Sequence, residues 1–222
     1  MSAPDPHPSL RVVESCAVIA VLRAPTPELA LQAIDTLIDV GINGIEVTFT
    51  TPDAPQVIAE TIARHGNKAC VGAGTVLTAR QVGAAADAGA RFLVSPGTEA
   101  NLARAMTETG LLTMTGALTP TEVMLATSLG VDIIKIFPGS LGGASYLNSL
   151  RGPFPEARFM PTGGVTADNI GGWFASGAVA VGAGGELVPA AALKRNDMGD
   201  IADRAQLFVD ALVACGKRGE TP

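Results

Sequence analysis

The chain has 222 residues, of which 47% are hydrophobic, 16% charged and 4% aromatic, and its formal net charge is −6. This length is enough for one domain with a substantial core, and the apolar content disfavours disorder. A nucleic-acid-binding surface needs a basic face or stacking rings, and the composition argues against both. We therefore expect a soluble globular protein that does not bind nucleic acid.

The N-terminal stretch MSAPDPHPSL is polar and rich in proline, without the basic and apolar regions of a secretory signal. No apolar run approaches the ~18 residues of a membrane-spanning helix. We expect residues 1–9 to form a flexible tail and the chain to be cytoplasmic, with no membrane partner. Three widely spaced cysteines and two histidines favour reduced thiols over a disulfide framework or a zinc site. We expect no metal or other cofactor, and no acidic cluster indicates a magnesium site.

Eight short apolar runs rich in β-branched residues recur along the chain, each followed by a helical pattern. They span residues 17–22, 44–49, 69–74, 91–96, 111–116, 132–137, 158–163 and 178–184. Two of the helical segments, TPELALQAIDTLIDVG and TPDAPQVIAETIARHG, begin with Thr-Pro, which predicts Thr26 and Thr51 as N-caps. The motif TPTE predicts a capping box of Thr119 and Glu122. A last helix is predicted from about residue 200.

Eight strand–helix units with buried parallel strands predict an α/β fold, a (β/α)₈ TIM barrel, as a single domain over residues 1–222. A doubly wound sheet is the alternative architecture. It would need a G-x-G-x-x-G motif after the first strand, and AVIAVLRAP contains none.

Lys135 is the first candidate for chemistry, because it interrupts the apolar run DIIKIF while the other lysines lie in polar or loop-like contexts. Strand alternation places Ile134 and Ile136 on one face, and Lys135 with Phe137 on the other. Lys135 therefore points into the barrel if the isoleucines meet the helices. Burial disfavours the charged form of an amine, and a neutral amine can attack a carbonyl to form a Schiff base. A structural pair with a buried carboxylate is the alternative.

Glu46 shows the same pattern in GIEVTF, where it shares a face with Thr48 opposite three apolar side chains. A carboxylate inside the barrel can pair with Lys135, or move protons once the lysine is bound as an imine. The two positions together predict a catalytic pair.

Polar residues at other strand ends are candidates for substrate binding, because these ends face the active site of a barrel. Arg23 follows the first strand, and its guanidinium suits a carboxylate or a phosphate; a solvated surface arginine is the alternative. Thr75 and the pair Ser95–Pro96 mark two further strand ends, although such residues are equally typical of turns.

Two glycine-rich stretches, PTGGV and VGAGG, follow the seventh and eighth strands. Barrels often bind phosphate in these loops, through backbone N–H groups and a helix N-terminus. The predicted phosphate cradle therefore consists of Gly163, Gly164, Gly184 and Gly185. A role in turns alone is the alternative.

The motifs VLR, GIEVTFTTPDA, GAGTVL, FLVSPG, TPTE, IKIFP, GPFP and PTGGV, in this order, resemble the 2-keto-3-deoxy-6-phosphogluconate (KDPG) aldolases. Members of that family also act on 4-hydroxy-2-oxoglutarate (KHG) or on the galactonate epimer of KDPG. The resemblance reaches about residue 188. It implies a metal-independent class I aldolase on a (β/α)₈ barrel, usually a homotrimer, whose ligands are small 2-keto acids such as pyruvate and a phosphorylated sugar acid.

By position, the resemblance implies that Lys135 is the Schiff-base lysine and Glu46 the general acid/base. It implies a phosphate loop at Gly163 and Gly164. The substrate-pocket positions that it implies are Arg23, Thr75, Pro96 and Phe137.

Three positions depart from the family pattern. Thr50 stands where many members carry an arginine that helps to hold the substrate carboxylate, Gly185 where a serine often binds phosphate, and Thr115-Gly116 in place of a Pro-Gly after the fifth strand. Thr50 is kept as a substrate-binding candidate, while carboxylate recognition rests more on Arg23 and Thr75.

These features predict reversible cleavage of KDPG to pyruvate and glyceraldehyde 3-phosphate. KHG and the galactonate epimer are alternative substrates. A phosphosugar isomerase or epimerase would need paired carboxylates or a metal. A non-catalytic barrel that binds a phosphorylated ligand would have no use for a buried pair of Lys135 and Glu46.

Overall fold

The computed structural model describes residue 7 and residues 9–217. Of the expected flexible tail, residues 1–9, only His7 and Ser9 belong to this part of the chain; the others lie outside the described residues.

Eight parallel strands form one sheet that closes into a (β/α)₈ barrel, as predicted. The strands are β1 (Val18–Leu22), β2 (Gly44–Thr48), β3 (Cys70–Gly74), β4 (Phe92–Val94), β5 (Leu112–Ala117), β6 (Ile133–Ile136), β7 (Phe159–Pro161) and β8 (Val181–Ala183). β1 pairs with both β2 and β8, and a bridge between Thr162 and Gly182 joins the β7 side to β8. The doubly wound alternative is wrong, because its sheet would keep two open edges.

Helices follow the strands around the barrel. They are α1 (Leu10–Cys16), α2 (Pro27–Val40), α3 (Ala54–His65), α4 (Ala79–Asp87), α5 (Ala100–Thr107), α6 (Pro120–Ser128), α7 (Gly143–Arg151), α8 (Ile170–Ala175), α9 (Ala190–Arg195) and α10 (Met198–Ala214). Two 3₁₀ turns span Gly66–Lys68 and Gly139–Leu141. Over residues 9–217, none of these helices has the length and apolar character needed to cross a membrane.

Two of the three predicted helix starts are confirmed. Thr26 accepts a hydrogen bond from Leu29 N–H at 3.3 Å, and Thr119 forms the capping box with Glu122. The prediction for Thr51 is wrong, because α3 begins three residues later, after Asp53. The Thr51 hydroxyl instead accepts a hydrogen bond from Ala24 N–H at 3.1 Å, which ties the loop after β2 to the loop after β1.

The interior of the barrel is apolar in its lower half, at the N-terminal ends of the strands, and polar in its upper half. The lower half is filled by Ile19, Cys70, Phe92, Leu112, Ile133 and Met160, and is covered by Leu10, Val13 and Cys16 of α1. The buried polar side chains of the upper half include Glu46, Thr48, Lys135 and Thr162. Helix α1, which the sequence pattern did not predict, therefore closes the lower end, and the buried polar side chains lie at the upper end.

The cysteines carry free thiols, in agreement with the expectation. Cys16 of α1 lies against Cys70 of β3, although 53 residues separate them in the sequence. The hydrogen bond between the two thiols, together with burial, raises the pKa of Cys16. The same hydrogen bond lowers the pKa of Cys70, which accepts it, against the opposing effect of burial.

Glu122 is predicted to stabilise the fold through its carboxylate. Its Oε2 accepts hydrogen bonds from Leu118 N–H and Thr119 N–H at 2.8 Å each, and these bonds, with one from the Thr119 hydroxyl, lower the pKa of Glu122. We expect Glu122→Ala to cost about 1 kcal/mol of unfolding free energy in urea titrations at neutral pH. Because the folded-state pKa is depressed, this difference is full above the ordinary glutamate value of about 4.3 and is lost as pH falls below it.

Glu108→Ala is the matched control, since Glu108 is an exposed glutamate at the end of α5. An equal loss of stability in both variants, or a Glu122→Ala deficit that persists at acid pH, would contradict this account of the cap.

Candidate active site

A cavity of about 270 Å³ opens at the C-terminal ends of the strands. Its lining comes from β1, β6 and the loops after β7 and β8. The lining residues are Val21, Arg23, Lys135, Phe137, Thr162, Gly163, Gly164, Val165, Gly184, Gly185 and Glu186. Seven of these are predicted site residues: Arg23, Lys135, Phe137, Gly163, Gly164, Gly184 and Gly185. Positions that are far apart in the sequence therefore line one cavity.

Lys135 and Glu46 meet inside the barrel, beneath this cavity. Lys135 is 4% exposed and Glu46 is fully buried, and Lys135 Nζ lies 3.6 Å from Glu46 Oε1. Ile134 and Ile136 pack in the outer core as strand alternation requires. Among the described residues, neither carboxylate oxygen of Glu46 has a hydrogen-bond partner. Buried carboxylates are normally hydrogen-bonded, so these oxygens are available to a ligand.

Phe137 lies one residue beyond β6, with its ring centroid 5.4 Å from Lys135 Nζ. The ring is 36% exposed and forms part of the cavity wall. It gives the space beside the amine an apolar wall, at a distance typical of contact between an amine and a ring face.

The glycine in β3 beside Glu46 explains how the barrel accommodates the carboxylate. Gly74 faces the barrel interior, and a Cβ atom built on it would lie 2.0 Å from Glu46 Oε1. No side chain fits there without displacing Glu46. The motif GAGTVL therefore has a steric role at this site, since its second glycine fixes where the carboxylate lies.

Thr162 was missed by the sequence reasoning. It follows β7, is 4% exposed, and lines the cavity with Lys135. Its hydroxyl has no hydrogen-bond partner among the described residues, and Gly182 leaves room for it, because a Cβ there would lie 2.3 Å from Thr162 Oγ1. A threonine between a strand and two glycines resembles an ordinary turn residue in sequence, so only the closed barrel identifies it.

Arg23 stands at the mouth of the barrel, as predicted, and is exposed. Its NH1 donates a hydrogen bond to Thr50 Oγ1 at 3.4 Å. Thr50 in turn lies 2.7 Å from Thr48 Oγ1, and Thr48 donates to the Leu22 carbonyl at 2.8 Å. Thr50 is therefore placed next to Arg23, outside the lining of the Lys135 cavity.

Thr75 and Pro96 do not line the Lys135 cavity. Thr75 follows Gly74 with a φ of 53°, in the left-handed region that β-branched residues rarely occupy. Such strain is kept where the surroundings require it, and here it occurs one residue from the glycine beside Glu46. Pro96 lines a separate cavity of about 370 Å³ with Leu77 and Thr98.

Thr115 and Gly116 lie within β5, and not after the fifth strand as the motif comparison placed them. A Cβ at Gly116 would lie 1.8 Å from the Pro96 carbonyl oxygen. This glycine therefore lets the loop after β4 pass close over β5.

The two glycine loops contribute to the cavity in different ways. Gly163 and Gly164 have positive φ values of 90° and 75°, which glycine alone adopts readily. Gly184 and Gly185 do not have positive φ values of this kind. The sequence also predicted that a helix N-terminus would contribute to the phosphate cradle. The helix after this loop, α8, begins six residues after Gly164 and is only six residues long, so its N-terminus does not directly follow the glycines. Glu186, which was not considered from the sequence, places a carboxylate in the lining next to Gly185. In the sequence, its position directly after the glycine-rich stretch VGAGG could have identified it as a residue of the site.

Comparisons with known proteins agree with this arrangement. A family model described as KDPG and KHG aldolase matches residues 10–204. The chain belongs to the KDPG and KHG aldolase family. It is therefore an aldolase of the lyase class.

Individual relatives of this aldolase differ in the substrate that their names give. The KHG/KDPG aldolase of Escherichia coli K12 is 36% identical over 194 residues, covering 87% of this chain and 91% of the relative. The 2-dehydro-3-deoxy-6-phosphogalactonate aldolase of the same strain is 34% identical over 171 residues, covering 77% and 83%. The KDPG aldolase structure from Legionella pneumophila, with pyruvate captured as a covalent carbinolamine, has a TM-score of 0.82 at 30% identity and covers 90% and 97% of the two chains.

Gly74→Ala is expected to impair the aldolase by moving Glu46. The new methyl group would overlap the carboxylate, and a displacement of about 1 Å in a catalytic group can cost roughly 10²-fold in rate. We therefore expect kcat for aldol cleavage to fall by about this factor, as measured in steady-state assays.

Gly83→Ala is the control, because a Cβ at Gly83 has no neighbour within 4 Å. It should retain wild-type kcat. A folded Gly74→Ala variant with wild-type kcat would show that the position of the Glu46 carboxylate is not critical.

Proposed function

We propose that this protein is a class I aldolase that reversibly cleaves KDPG to pyruvate and glyceraldehyde 3-phosphate through a Schiff base on Lys135. The observation that carries the proposal is the buried amine 3.6 Å from a buried carboxylate, at the edge of an open cavity. A solvated lysine would be protonated and unreactive toward a carbonyl. In this site, the Glu46 carboxylate lies 3.6 Å from the Lys135 nitrogen and is placed to accept the proton that the amine must lose before it attacks.

In the first stage, the neutral Lys135 amine attacks the C2 carbonyl carbon of the substrate and forms a C–N bond. The carbonyl oxygen takes a proton and the product is a carbinolamine. Loss of this oxygen as water, with a proton supplied by Glu46, gives the iminium. Glu46 is within reach of the same nitrogen and has no other hydrogen-bond partner among the described residues.

In the second stage, the C3–C4 bond breaks and its electron pair moves into the iminium, which becomes an enamine. Glu46 takes the proton of the C4 hydroxyl as the aldehyde forms and leaves. The enamine is then protonated at C3, and water hydrolyses the resulting iminium to release pyruvate and the free lysine. The iminium acts as the electron sink, so the proposed route needs no metal or other cofactor.

The surrounding residues are proposed to hold the rest of the substrate. Arg23, Thr50, Thr75, Pro96 and Phe137 are the proposed substrate-binding residues. Arg23 stands at the cavity mouth with its guanidinium exposed, as recognition of an anion requires. Gly163, Gly164, Gly184 and Gly185 are proposed to offer backbone N–H groups to a phosphate. The covalent pyruvate adduct of the Legionella pneumophila relative supports the Schiff-base route.

Replacement of Lys135 tests the mechanism. We expect Lys135→Ala and Lys135→Met both to lose turnover, by at least about 10³-fold, because neither side chain can form an imine. The methionine variant keeps most of the side-chain volume, so it separates loss of chemistry from loss of packing. Circular dichroism and the unfolding midpoint establish that each variant is folded, and Lys68→Ala is the control for an exposed lysine. Turnover near the wild-type rate in a folded Lys135 variant would rule out the mechanism.

Trapping with borohydride locates the imine directly. Incubation of the wild-type protein with pyruvate and borohydride should give a reduced adduct on the peptide that contains Lys135, as mapped by mass spectrometry. An adduct on another lysine, or none on the folded protein, would contradict the assignment.

The galactonate epimer of KDPG is the second candidate substrate, because a relative of that specificity is 34% identical to this chain. Values of kcat/KM for KDPG, for the epimer and for KHG separate the three. KDPG should be the best of them, and a clear preference for either of the others would reassign the substrate without changing the chemistry.

We also propose that the chain forms a homotrimer in the cytoplasm. Several large apolar side chains are exposed in the isolated chain and would suit contacts between copies: Leu77, Met124, Leu125 and Leu141. Light scattering that gave the mass of a monomer would contradict the assembly.

A further inference from the structure

Two cysteines meet at the lower end of the barrel, opposite the reactive end. Cys16 is the last residue of α1 and is 4% exposed, and Cys70 is the first residue of β3 and is fully buried. Both belong to the apolar cluster that fills the lower half, together with Ile19 and Phe92. Thiols are nucleophilic groups, and the proposed mechanism uses neither of these two. The pair therefore calls for an explanation of its own.

A glycine of β2 brings the two cysteines to the same level of the barrel. Gly44 is the residue opposite Cys70 in the pairing of β2 with β3. A Cβ atom built on Gly44 would lie 3.1 Å from the Cβ atom of Cys16. Cys16 therefore occupies the space that a side chain at position 44 would fill, one strand away from Cys70.

This placement is close to what a disulfide bond requires. Neighbouring strands lie about 4.8 Å apart. A disulfide joins Cβ atoms that are about 3.5–4.5 Å apart. A small shift of α1 toward β3 is therefore enough to bring the sulfur atoms of Cys16 and Cys70 within bonding distance.

The two thiols have unequal roles because of the hydrogen bond between them. The bond that Cys16 donates lowers the pKa of Cys70 although burial opposes it, and the positive charge of Arg91 lowers this pKa further. A lower pKa increases the fraction of thiolate, which is the nucleophilic form of cysteine. Cys70 is therefore placed to react first, with Cys16 beside it as the second thiol.

Helix α1 is built so that it can open locally and admit a small solute. It has seven residues, and the side chain of its N-cap, Ser9, makes no capping hydrogen bond. It ends at Ala17, whose φ of 57° lies in the left-handed region, which is unfavourable for a residue with a Cβ atom. The helix is held by the burial of Leu10, Val13 and Cys16. Brief detachment of such a short segment exposes both thiols.

We propose that Cys16 and Cys70 form an oxidative modification site, which a hydroperoxide converts into a disulfide bond between α1 and β3. In the first step, the Cys70 thiolate attacks one oxygen of the peroxide. An S–O bond forms as the O–O bond breaks, and the other oxygen leaves with the electron pair and takes a proton. In the second step, the Cys16 sulfur attacks the Cys70 sulfur, the S–S bond forms, and the S–O bond breaks to release water, which carries the Cys16 proton. The two thiols together lose two electrons, and the peroxide gains them.

The bond would fix the lower end of the barrel in its closed form. Because 53 residues separate the two cysteines, the disulfide closes a long loop and restricts the unfolded chain strongly. Helix α1 could then no longer detach from β3. Lys135 and Glu46 lie in the other half of the interior, so the reactive end keeps its geometry. The inference depends on the cysteines alone and does not rest on the proposed function.

Peptide mapping tests whether the bond forms. The wild-type protein is treated with a small excess of hydrogen peroxide, denatured, alkylated and digested without reductant, and its peptides are identified by mass spectrometry. We expect a linked pair of peptides that contain Cys16 and Cys70. Cys215, at the end of α10 beside Gly171, is the internal control and should stay outside this pair. Cys16 and Cys70 found only in unlinked peptides, or linked to Cys215, would overturn the proposal.

Thermal unfolding tests the effect of the bond. Peroxide should raise the Tm of the Cys215→Ser variant, which cannot form links through the third cysteine, by about 8 °C. Dithiothreitol should reverse the rise. The variants Cys16→Ala and Cys70→Ala should show no rise, and each is compared with itself before and after peroxide, so any loss of packing does not affect the result. An unchanged or lower Tm in protein shown to carry the link would overturn the stabilising role.

Both measurements are made without substrate. If the protein cleaves none of the candidate substrates while peroxide still links Cys16 to Cys70, the proposed function fails and the modification site stands. If cleavage proceeds through Lys135 but no link forms, the modification site fails and the proposed function stands.

Discussion

The structure depends on one buried pair of opposite charges, Lys135 and Glu46, held 3.6 Å apart inside a closed barrel. Removing either partner would leave an uncompensated charge in a low-dielectric interior, which costs several kcal/mol or forces the remaining group to change its protonation state. The pair is incomplete as a structural device, because both oxygens of Glu46 lack hydrogen bonds in the described part of the chain. A fold that only needed stability would satisfy those oxygens, so the incompleteness itself indicates a place for a ligand.

Small residues on neighbouring strands make this arrangement sterically feasible. Bare backbone at Gly74 leaves space for the carboxylate of Glu46, and Gly182 does the same for the hydroxyl of Thr162. In the lower half, Gly72 accepts the ring of Phe92, since a Cβ there would lie 2.3 Å from it. In each of these three places, a glycine on one strand leaves the space that a larger side chain on a neighbouring strand fills.

Sequence patterns predicted the architecture and the inward position of Lys135 and Glu46, because both depend on local periodicity. Eight apolar runs define the strands, and alternation alone turns Lys135 and Glu46 inward. The patterns failed where a residue's partner is distant in sequence. Thr51 has the local signature of a helix cap, yet its hydroxyl binds Ala24, across the mouth of the barrel. Thr162 and Glu186 look like turn or surface residues, and only the closure of the barrel brings them to the Lys135 cavity.

The division of the barrel interior along its axis has a consequence for how the protein can change. Helix α1 and the apolar side chains beneath it occupy the lower half, whereas the buried polar groups occupy the upper half. Substitutions separated by more than about 7–10 Å, with no shared partners, combine almost additively. Repacking the floor of the barrel, for example around Phe92 or Met160, can therefore alter heat resistance while the reactive end keeps its geometry. Selection for thermal stability can therefore act on the lower end of the barrel, while selection for substrate specificity acts on the upper end.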